Sequence, residues 1–295
     1  HAMVRIEAAG LNFADLYRRR GNYHMVATPP WILGYEGAGR LVTAAEGFAV
    51  GQRVAFADAP RANAELVAVP VDKLIAIPDD IPSELAASVL LQGLTAQYLV
   101  RDSHAVRAGE VVVVHAAGGG VGLLLVQLAA AAGARVIAIA SSEAKRQAAR
   151  AVGAADCVGD DWLAQVRALT GGGADVVYDS VGTTLVDSLA AARTGGHVVF
   201  YGFAGGDPPA VDPRVLMDRS LSLTGGDLWN VLTSAAIRRA RAAELFAQIA
   251  AGTLRPTIAA RVPMRDGARA HRLLEARGVI GKIVLTIDGD GAPAP

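Results

Sequence analysis

The chemistry most legible in this chain is carried by a glycine turn. The run VVVVHA at 111–116 leads into Ala117-Gly118-Gly119-Gly120-Val121-Gly122, and an apolar, helix-like segment follows. Strand, turn and helix in that order match the A-x-G-x-x-G form of the dinucleotide fingerprint. Gly119 lets a backbone approach a pyrophosphate, and Gly122 lets the helix pack close to the strand. The N–H groups of the helix start, with the helix dipole, attract the anion. A purely structural glycine turn is the competing reading; the ordered strand, turn, helix and second strand favour the nucleotide.

The end of the second strand decides which nucleotide. NAD-specific sites usually place an acid there, about 20 residues past the fingerprint, on the ribose hydroxyls. This chain has Ser141-Ser142-Glu143-Ala144-Lys145. Two hydroxyls and an ammonium can bind a 2′-phosphate that a carboxylate would repel, which predicts NADPH over NADH. The bland alternative makes Ser142 a helix N-cap, Glu143 a first-turn acid and Lys145 a solvated side chain. Ser142-x-x-Lys145 also fits a serine-lysine nucleophile motif, but its SDN and KTG companions are absent. The chain has only three lysines, Lys73, Lys145 and Lys282, against a background of arginine.

The elements that position these residues follow from periodicity. From 94 to 226 helical and β-type segments alternate at the spacing of βαβ units, which predicts a parallel sheet with helices on both faces. The strands are 111–116, 136–140, 155–159, 175–182, 197–202 and 221–226, and the helices 121–132, 143–152, 162–169 and 184–192. Residues 1–93 differ in kind: short β runs (VRIEAAG, GRLVTAA, QRVAFA, AELVAV, KLIAIP) are punctuated by glycine and proline, as in an antiparallel or barrel-like domain. After 232 come a basic amphipathic helix (235–251), a β stretch (257–264), a helix (266–277) and a last strand (281–287). This material has no place in the parallel sheet and is expected to return to the first domain. The expected class is α/β, a doubly wound Rossmann domain at 94–231 plus a discontinuous β-rich catalytic domain at 1–93 and 232–295.

Composition bounds the rest. The 295 residues carry 28 basic and 28 acidic side chains, and 52% are apolar. This is a globular chain with no whole-molecule field toward nucleic acid or an acidic membrane. Arg18-Arg19-Arg20 and the cluster Arg238, Arg239, Arg241 read as solvated faces. The apolar stretch 121–140 resembles a membrane span in length, but Gly133 divides it into a helix and a β-branched strand. The single cysteine, Cys157, excludes an internal disulfide and a multi-cysteine zinc site. His24, His104, His115, His197 and His271 show no ligand spacing. No signal peptide is visible, His1-Ala2-Met3 reads as a cloning remnant, the tail after Asp288 reads as frayed, and the expected compartment is the cytoplasm.

The words AAGLNFADLYRRRGNY (8–23), ILGYEGAG (32–39), LLQGLTAQYLV (90–100), HAAGGGVG (115–122), VVYDSVG (176–182) and AHRLLEARGVIGKIVL (270–285) together resemble the quinone oxidoreductase, or zeta-crystallin-like, branch of the medium-chain dehydrogenase/reductase superfamily. The resemblance implies a GroES-like catalytic domain, a homodimer formed through the edge of the nucleotide sheet near 221–229, and hydride transfer from NADPH to a quinone or similar conjugated carbonyl. It also implies an acceptor stacked above the nicotinamide in a cleft between the domains. Zinc-bearing members have a histidine where this chain has Tyr35, so no metal is expected, and reduction of an already electron-poor acceptor fits. The residues that the resemblance places beside nicotinamide and acceptor are Asn12, Tyr17 and Tyr23. Gln92 and Thr95 match the crossover near the nicotinamide, and Arg277 a position near the 2′-phosphate. Lys282 is a further cofactor candidate, or a surface lysine. Ser180, Val181 and Gly182, with Tyr201, Gly202 and Phe203, fall at strand ends where open α/β sheets bind ligands. Asp160 and Asp161 stand where the family often has a tyrosine near the 2′-phosphate. The strands that usually precede VRIEAAG are absent and the segment 39–51 is short. An enoyl or enone reductase, and a non-catalytic NADPH-binding protein, are the rival functions.

Overall fold

A computed structural model describes residues 1–23 and 30–287. His24 and the tail after Asp288 lie outside the described residues. The chain divides into two compact units, His1–Leu94 with Leu232–Pro295, and Thr95–Val231.

The first unit begins with β1 (Ala2–Leu11), α1 (Phe13–Arg20), β2 (Gly37–Leu41), β3 (Arg53–Phe56), β4 (Leu66–Val69), β5 (Ile75–Ala76) and α2 (Ser83–Tyr98). The division between units falls inside α2. The second unit holds β6 (Val111–Val114), α3 (Gly120–Ala131), β7 (Arg135–Ile139), α4 (Glu143–Ala151), β8 (Asp156–Val158), α5 (Trp162–Thr170), β9 (Ala174–Asp179), α6 (Leu185–Ala191), β10 (Ala192–Phe200), α7 (Pro213–Arg219) and β11 (Ser222–Gly225). The chain then supplies α8 (Ala235–Ala250), β12 (Ile258–Pro263), α9 (Gly267–Glu275) and β13 (Lys282–Thr286).

In the first unit the sheet order is β12-β13-β1-β2-β3-β5, with β4 also paired to β1. All its pairings are antiparallel except β12 with β13. The C-terminal segment therefore closes onto the first strand, with Ala8 opposite Thr286 and Leu11 opposite Ile283. Val4, Ile6, Leu16, Leu41, Phe56, Leu74, Ile283 and Leu285 fill one core at 2% exposure or less. Burial of that apolar area is the main stabilising term.

The second unit is a parallel sheet in the order β11-β10-β9-β6-β7-β8. Runs such as VVVV of β6 are buried and β-branched, as a strand covered on both faces requires. The chain winds outward from β6 to β8 and then crosses to β9. The order thus reverses between β6 and β9, the switch point where such sheets bind ligands.

Ala2 and Met3 belong to β1: Ala2 is buried and the Met3 N–H donates to Thr43 Oγ1 at 2.8 Å. Four expectations need correction. The stretch read only as β runs contains α1 and α2; α2 is apolar around much of its circumference, so no amphipathic stripe betrays it. β10 begins at Ala192 rather than 197, through an irregular pairing with β9. α7 was missed, although the Asp212-Pro213 pair signals it: Asp212 accepts the Arg214 N–H at 2.9 Å and proline takes the first turn. Finally, the arginine clusters are not simply solvated. Arg18 and Arg238 are buried. Arg19 and Arg20 pair with Glu275, and Arg239 donates to the carbonyls of Val71 and Leu74. No described helix is long and apolar enough to cross a membrane.

Candidate functional site

In the second unit the end of β6 turns through Ala116, at φ 48°, into Ala117 and the glycines. Gly119 is the N-cap of α3, and the first helical bond runs from the Leu123 N–H to the Gly119 carbonyl. The N–H groups of Gly120, Val121 and Gly122 precede that bond and have no intrahelical acceptor, the arrangement that holds a pyrophosphate. A side chain at Gly122 would collide with the Ala116 carbonyl oxygen and lie 2.7 Å from the Ala117 Cα, so the helix can sit this close only on glycine.

β7 ends beside this turn. Ser142 caps α4, accepting the Lys145 N–H at 3.4 Å, so its hydroxyl does serve the helix. Ser141 is exposed. The Lys145 stem lies across Gly118, whose missing Cβ would be 2.7 Å from the Lys145 Cβ and Cγ. Glu143, the one acid in this segment, bridges Arg146 and Arg150 at 2.9 Å each, so two cations offset its charge. Those partners hold its carboxyl below the usual range, Arg146 first. Asp161 is the left-handed N-cap of α5, and Asp160 precedes it. The site fits a dinucleotide with a 2′-phosphate.

The loops after β9 and β10 complete this half. Asp179 is the residue that sequence reading missed, although a lone acid ending an apolar strand is a visible signal. Its Oδ1 accepts the N–H groups of Val181 (2.8 Å) and Gly182 (3.1 Å), and its Oδ2 accepts the hydroxyls of Thr184 (2.8 Å) and Ser188 (2.7 Å). Ser188 Oγ is also 3.0 Å from His115 Nε2. Burial pushes the Asp179 carboxyl up, but His115 and these donors outweigh it and leave it low; burial keeps His115 below its ordinary value. The network fixes Ser180, Val181 and Gly182. The second loop is laced to it, Tyr201 N–H to Asp179 O at 2.9 Å and Ala204 N–H to Ser180 O at 2.9 Å, which places Tyr201, Gly202 and Phe203 alongside. Gln92 and Thr95 stand three residues apart on α2, hence on one face.

In the first unit Asn12 caps α1, Tyr17 lies in the helix and Tyr23 just beyond it, with the Tyr17 and Tyr23 rings 5.9 Å apart edge to face. Asn12 is 4% exposed and its amide is spoken for: Nδ2 donates to Glu36 Oε2 (2.9 Å) and Gly10 O (3.3 Å), and Oδ1 accepts from Lys282 Nζ at 2.7 Å. Lys282 is 2% exposed, so it is no surface lysine, and its Nζ is 2.6 Å from Glu36 Oε2. Glu36 Oε1 accepts the Leu91 N–H at 2.8 Å. Glu36, inside GYEGAG, was the second missed residue. Arg277 occupies the turn after α9 at φ 51°.

Known proteins resemble this chain along most of its length. Residues 1–108 match the alcohol dehydrogenase GroES-like domain and residues 120–242 the zinc-binding dehydrogenase family model. The described residues do not fit a zinc: no three His, Cys, Asp or Glu side chains among them could hold a metal ion. Tyr35 instead packs its ring under Arg18. A quinone oxidoreductase of Pseudomonas aeruginosa is 39% identical over 96% of this chain and 90% of its own length. A 2-haloacrylate reductase of a Burkholderia species is 37% identical, over 96% and 89%. The solved quinone oxidoreductase of Escherichia coli complexed with NADPH superposes with a TM-score of 0.93 at 32% identity, covering 97% of this chain and 91% of that one. The chain belongs to the quinone oxidoreductase family of the medium-chain dehydrogenase/reductase superfamily.

Proposed function

We propose that this oxidoreductase uses NADPH to reduce a quinone or similar conjugated carbonyl. The observation that carries the reading is the second unit's nucleotide half: an α3 N-terminus seated tightly on the 116–117 turn because residue 122 is glycine, with Lys145 laid over Gly118 and Glu143 ion-paired. The bound cofactor supplies the hydride. Gly119, Gly120, Val121 and Gly122 hold its pyrophosphate, Ser141 and Lys145 its 2′-phosphate, with Arg277 as a further cation. Ser180, Val181, Gly182, Tyr201, Gly202 and Phe203 wall the nicotinamide half, and Gln92 and Thr95 hydrogen-bond near it.

Tyr17 and Tyr23 offer flat apolar faces and hydroxyl donors to the acceptor. The reduced acceptor takes its proton from Tyr17 or from solvent, so no strong general base is needed. With its amide committed to Glu36, Gly10 and Lys282, Asn12 positions α1 and its tyrosines. We place the enzyme in the cytoplasm as a homodimer joined through β11, which among the described residues is paired on one side only.

A second reading, reduction of a conjugated C=C bond in an enoate or enone, is favoured by the 2-haloacrylate reductase relative. Anaerobic NADPH oxidation with benzoquinone and, in parallel, an α,β-unsaturated thioester tests both. Rapid turnover of the quinone supports the first reading and preference for the thioester the second. NADPH binding with neither turnover would favour a non-catalytic role.

A further inference from the structure

α1 carries a buried cation that hydride transfer to a neutral quinone does not use. The Arg18 guanidinium is 2% exposed, with the Tyr35 ring 3.5 Å below it and the Tyr23 ring 5.2 Å away. The charge thus lies over the faces of two aromatic rings, which attract a cation but accept none of its N–H groups as a carboxylate would. Among the described residues none of its three nitrogens has a hydrogen-bond acceptor, and the Tyr35 hydroxyl is likewise unmatched. The same chain shows what a structural arginine looks like: Arg238, equally buried, gives its fork to the carbonyls of Leu232 (2.9 Å) and Asp72 (3.1 Å). Among the described residues, the carboxylate paired with Arg18 is Asp15, whose Oδ1 is 3.5 Å from Nη1 and also unmatched. Burial pushes the Asp15 carboxyl up to about 6, and the 3.5 Å separation leaves the guanidinium without a hydrogen bond to it.

A buried charge with empty donors is destabilising, and a planar oxyanion in the guanidinium plane would relieve it. Tyr23, which lies over Arg18, is a residue read above as touching the acceptor. We propose that Arg18 is a specificity-determining residue that binds the carboxylate of an acceptor in which that carboxylate is conjugated to the reducible C=C bond. The inference rests on the proposed reading of Tyr17 and Tyr23 as acceptor contacts.

Such an enoate is a poor hydride acceptor in water, because reduction adds a second negative charge to the carboxylate oxygens. A guanidinium bound to those oxygens opposes that charge where it develops. The balance is simple. The β-carbon gains a C–H bond from the hydride of the reduced nicotinamide, and the C=C π pair moves toward the carboxylate. A proton from solvent or Tyr17 then closes the α-carbon. The nicotinamide is oxidised and the enoate becomes the saturated acid.

The test compares crotonate with methyl crotonate, in which a methyl ester replaces the charged carboxylate, and reads the change in their ratio from the wild type to Arg18→Gln and Arg18→Lys. The kcat/KM ratio of acid to ester should fall on the order of ten- to a hundredfold in Arg18→Gln, with partial recovery in Arg18→Lys. Calorimetric binding of butyrate, which involves no turnover, should be present in the wild type and lost in Arg18→Gln. Equal loss on acid and ester, or no butyrate binding by the wild type, would show a structural arginine and overturn the proposal. If benzoquinone is turned over while butyrate does not bind, only the Arg18 assignment fails. If no acceptor is turned over but butyrate binds through Arg18, the reading of function fails and the site stands.

Discussion

Replacing Lys282 by Met tests whether the first unit is organised around a buried ion pair. The Nζ is 2.6 Å from Glu36 Oε2 and 2.7 Å from Asn12 Oδ1, and both charged side chains are at most 2% exposed. Methionine keeps the stem's volume but leaves the Glu36 carboxylate without its cation, with only the Leu91 N–H and the Asn12 amide as donors. Breaking a buried pair on one side costs about 3–5 kcal/mol. At roughly 2–4 °C per kcal/mol for a chain of this size class, the unfolding midpoint should fall by roughly 6–20 °C in calorimetry. The companion Glu36→Gln in the same chain removes the stranded charge, so the double variant should recover much of the loss. A loss below about 1 kcal/mol, or a double variant no more stable than Lys282→Met, would refute the claim that these two charges neutralise each other in the core.

Other consequences are as direct. Gly122→Ala forces a methyl against the Ala116 carbonyl, an overpacking of about 1–3 kcal/mol at the turn. NADPH binding by fluorescence titration should be lost while both units remain folded, and unchanged affinity would contradict the assigned phosphate turn. Lys145→Ala should weaken NADPH by roughly 10- to 150-fold and leave NADH nearly unaffected, as removal of one charge-assisted contact predicts; equal losses for both would remove the 2′-phosphate assignment. Acidification should act oppositely in the two units. Asp179 is held low and His115 stays neutral, so stability from both is present above their ordinary values of 3.8 and 6.5 and is lost as pH falls below them. Asp15, raised to about 6, binds a proton more readily folded than unfolded, so its contribution grows as pH falls through 6. Between about pH 7.5 and 5.5, where His115 and Asp15 act but Asp179 stays ionised, amide exchange corrected for pH should accelerate at 180–182 and slow along α1. Parallel changes in both segments would show that these groups do not govern them.

The nucleotide half was legible because its signals are local: a glycine turn between a β-branched strand and an apolar helix, and parallel strands recurring at βαβ spacing. The other half was obscure because its chemistry is assembled over long range. Lys282 meets Glu36 and Asn12 across separations of 246 and 270 residues, and nothing beside Gly281 marks it as internal. Arg18 sits in a run of three arginines that reads as a charged face; only the placement of Tyr23 and Tyr35 reveals that one of the three turns inward. The resemblance drew attention to Asn12, but nothing local shows that its amide is filled by Gly10, Glu36 and Lys282. In α2 a helix packed on several sides lost the amphipathic stripe that would have announced it.

The central claim is hydride transfer from NADPH to a conjugated acceptor. It is tested most directly by anaerobic single turnover with benzoquinone, using NADPH and NADPH deuterated at the transferred position of the nicotinamide. The account predicts that nicotinamide absorbance decays on mixing and that the decay is slower with the deuterated cofactor. Decay at the same rate with both, or none at all with a chain that binds NADPH, would contradict rate-limiting hydride delivery to a quinone.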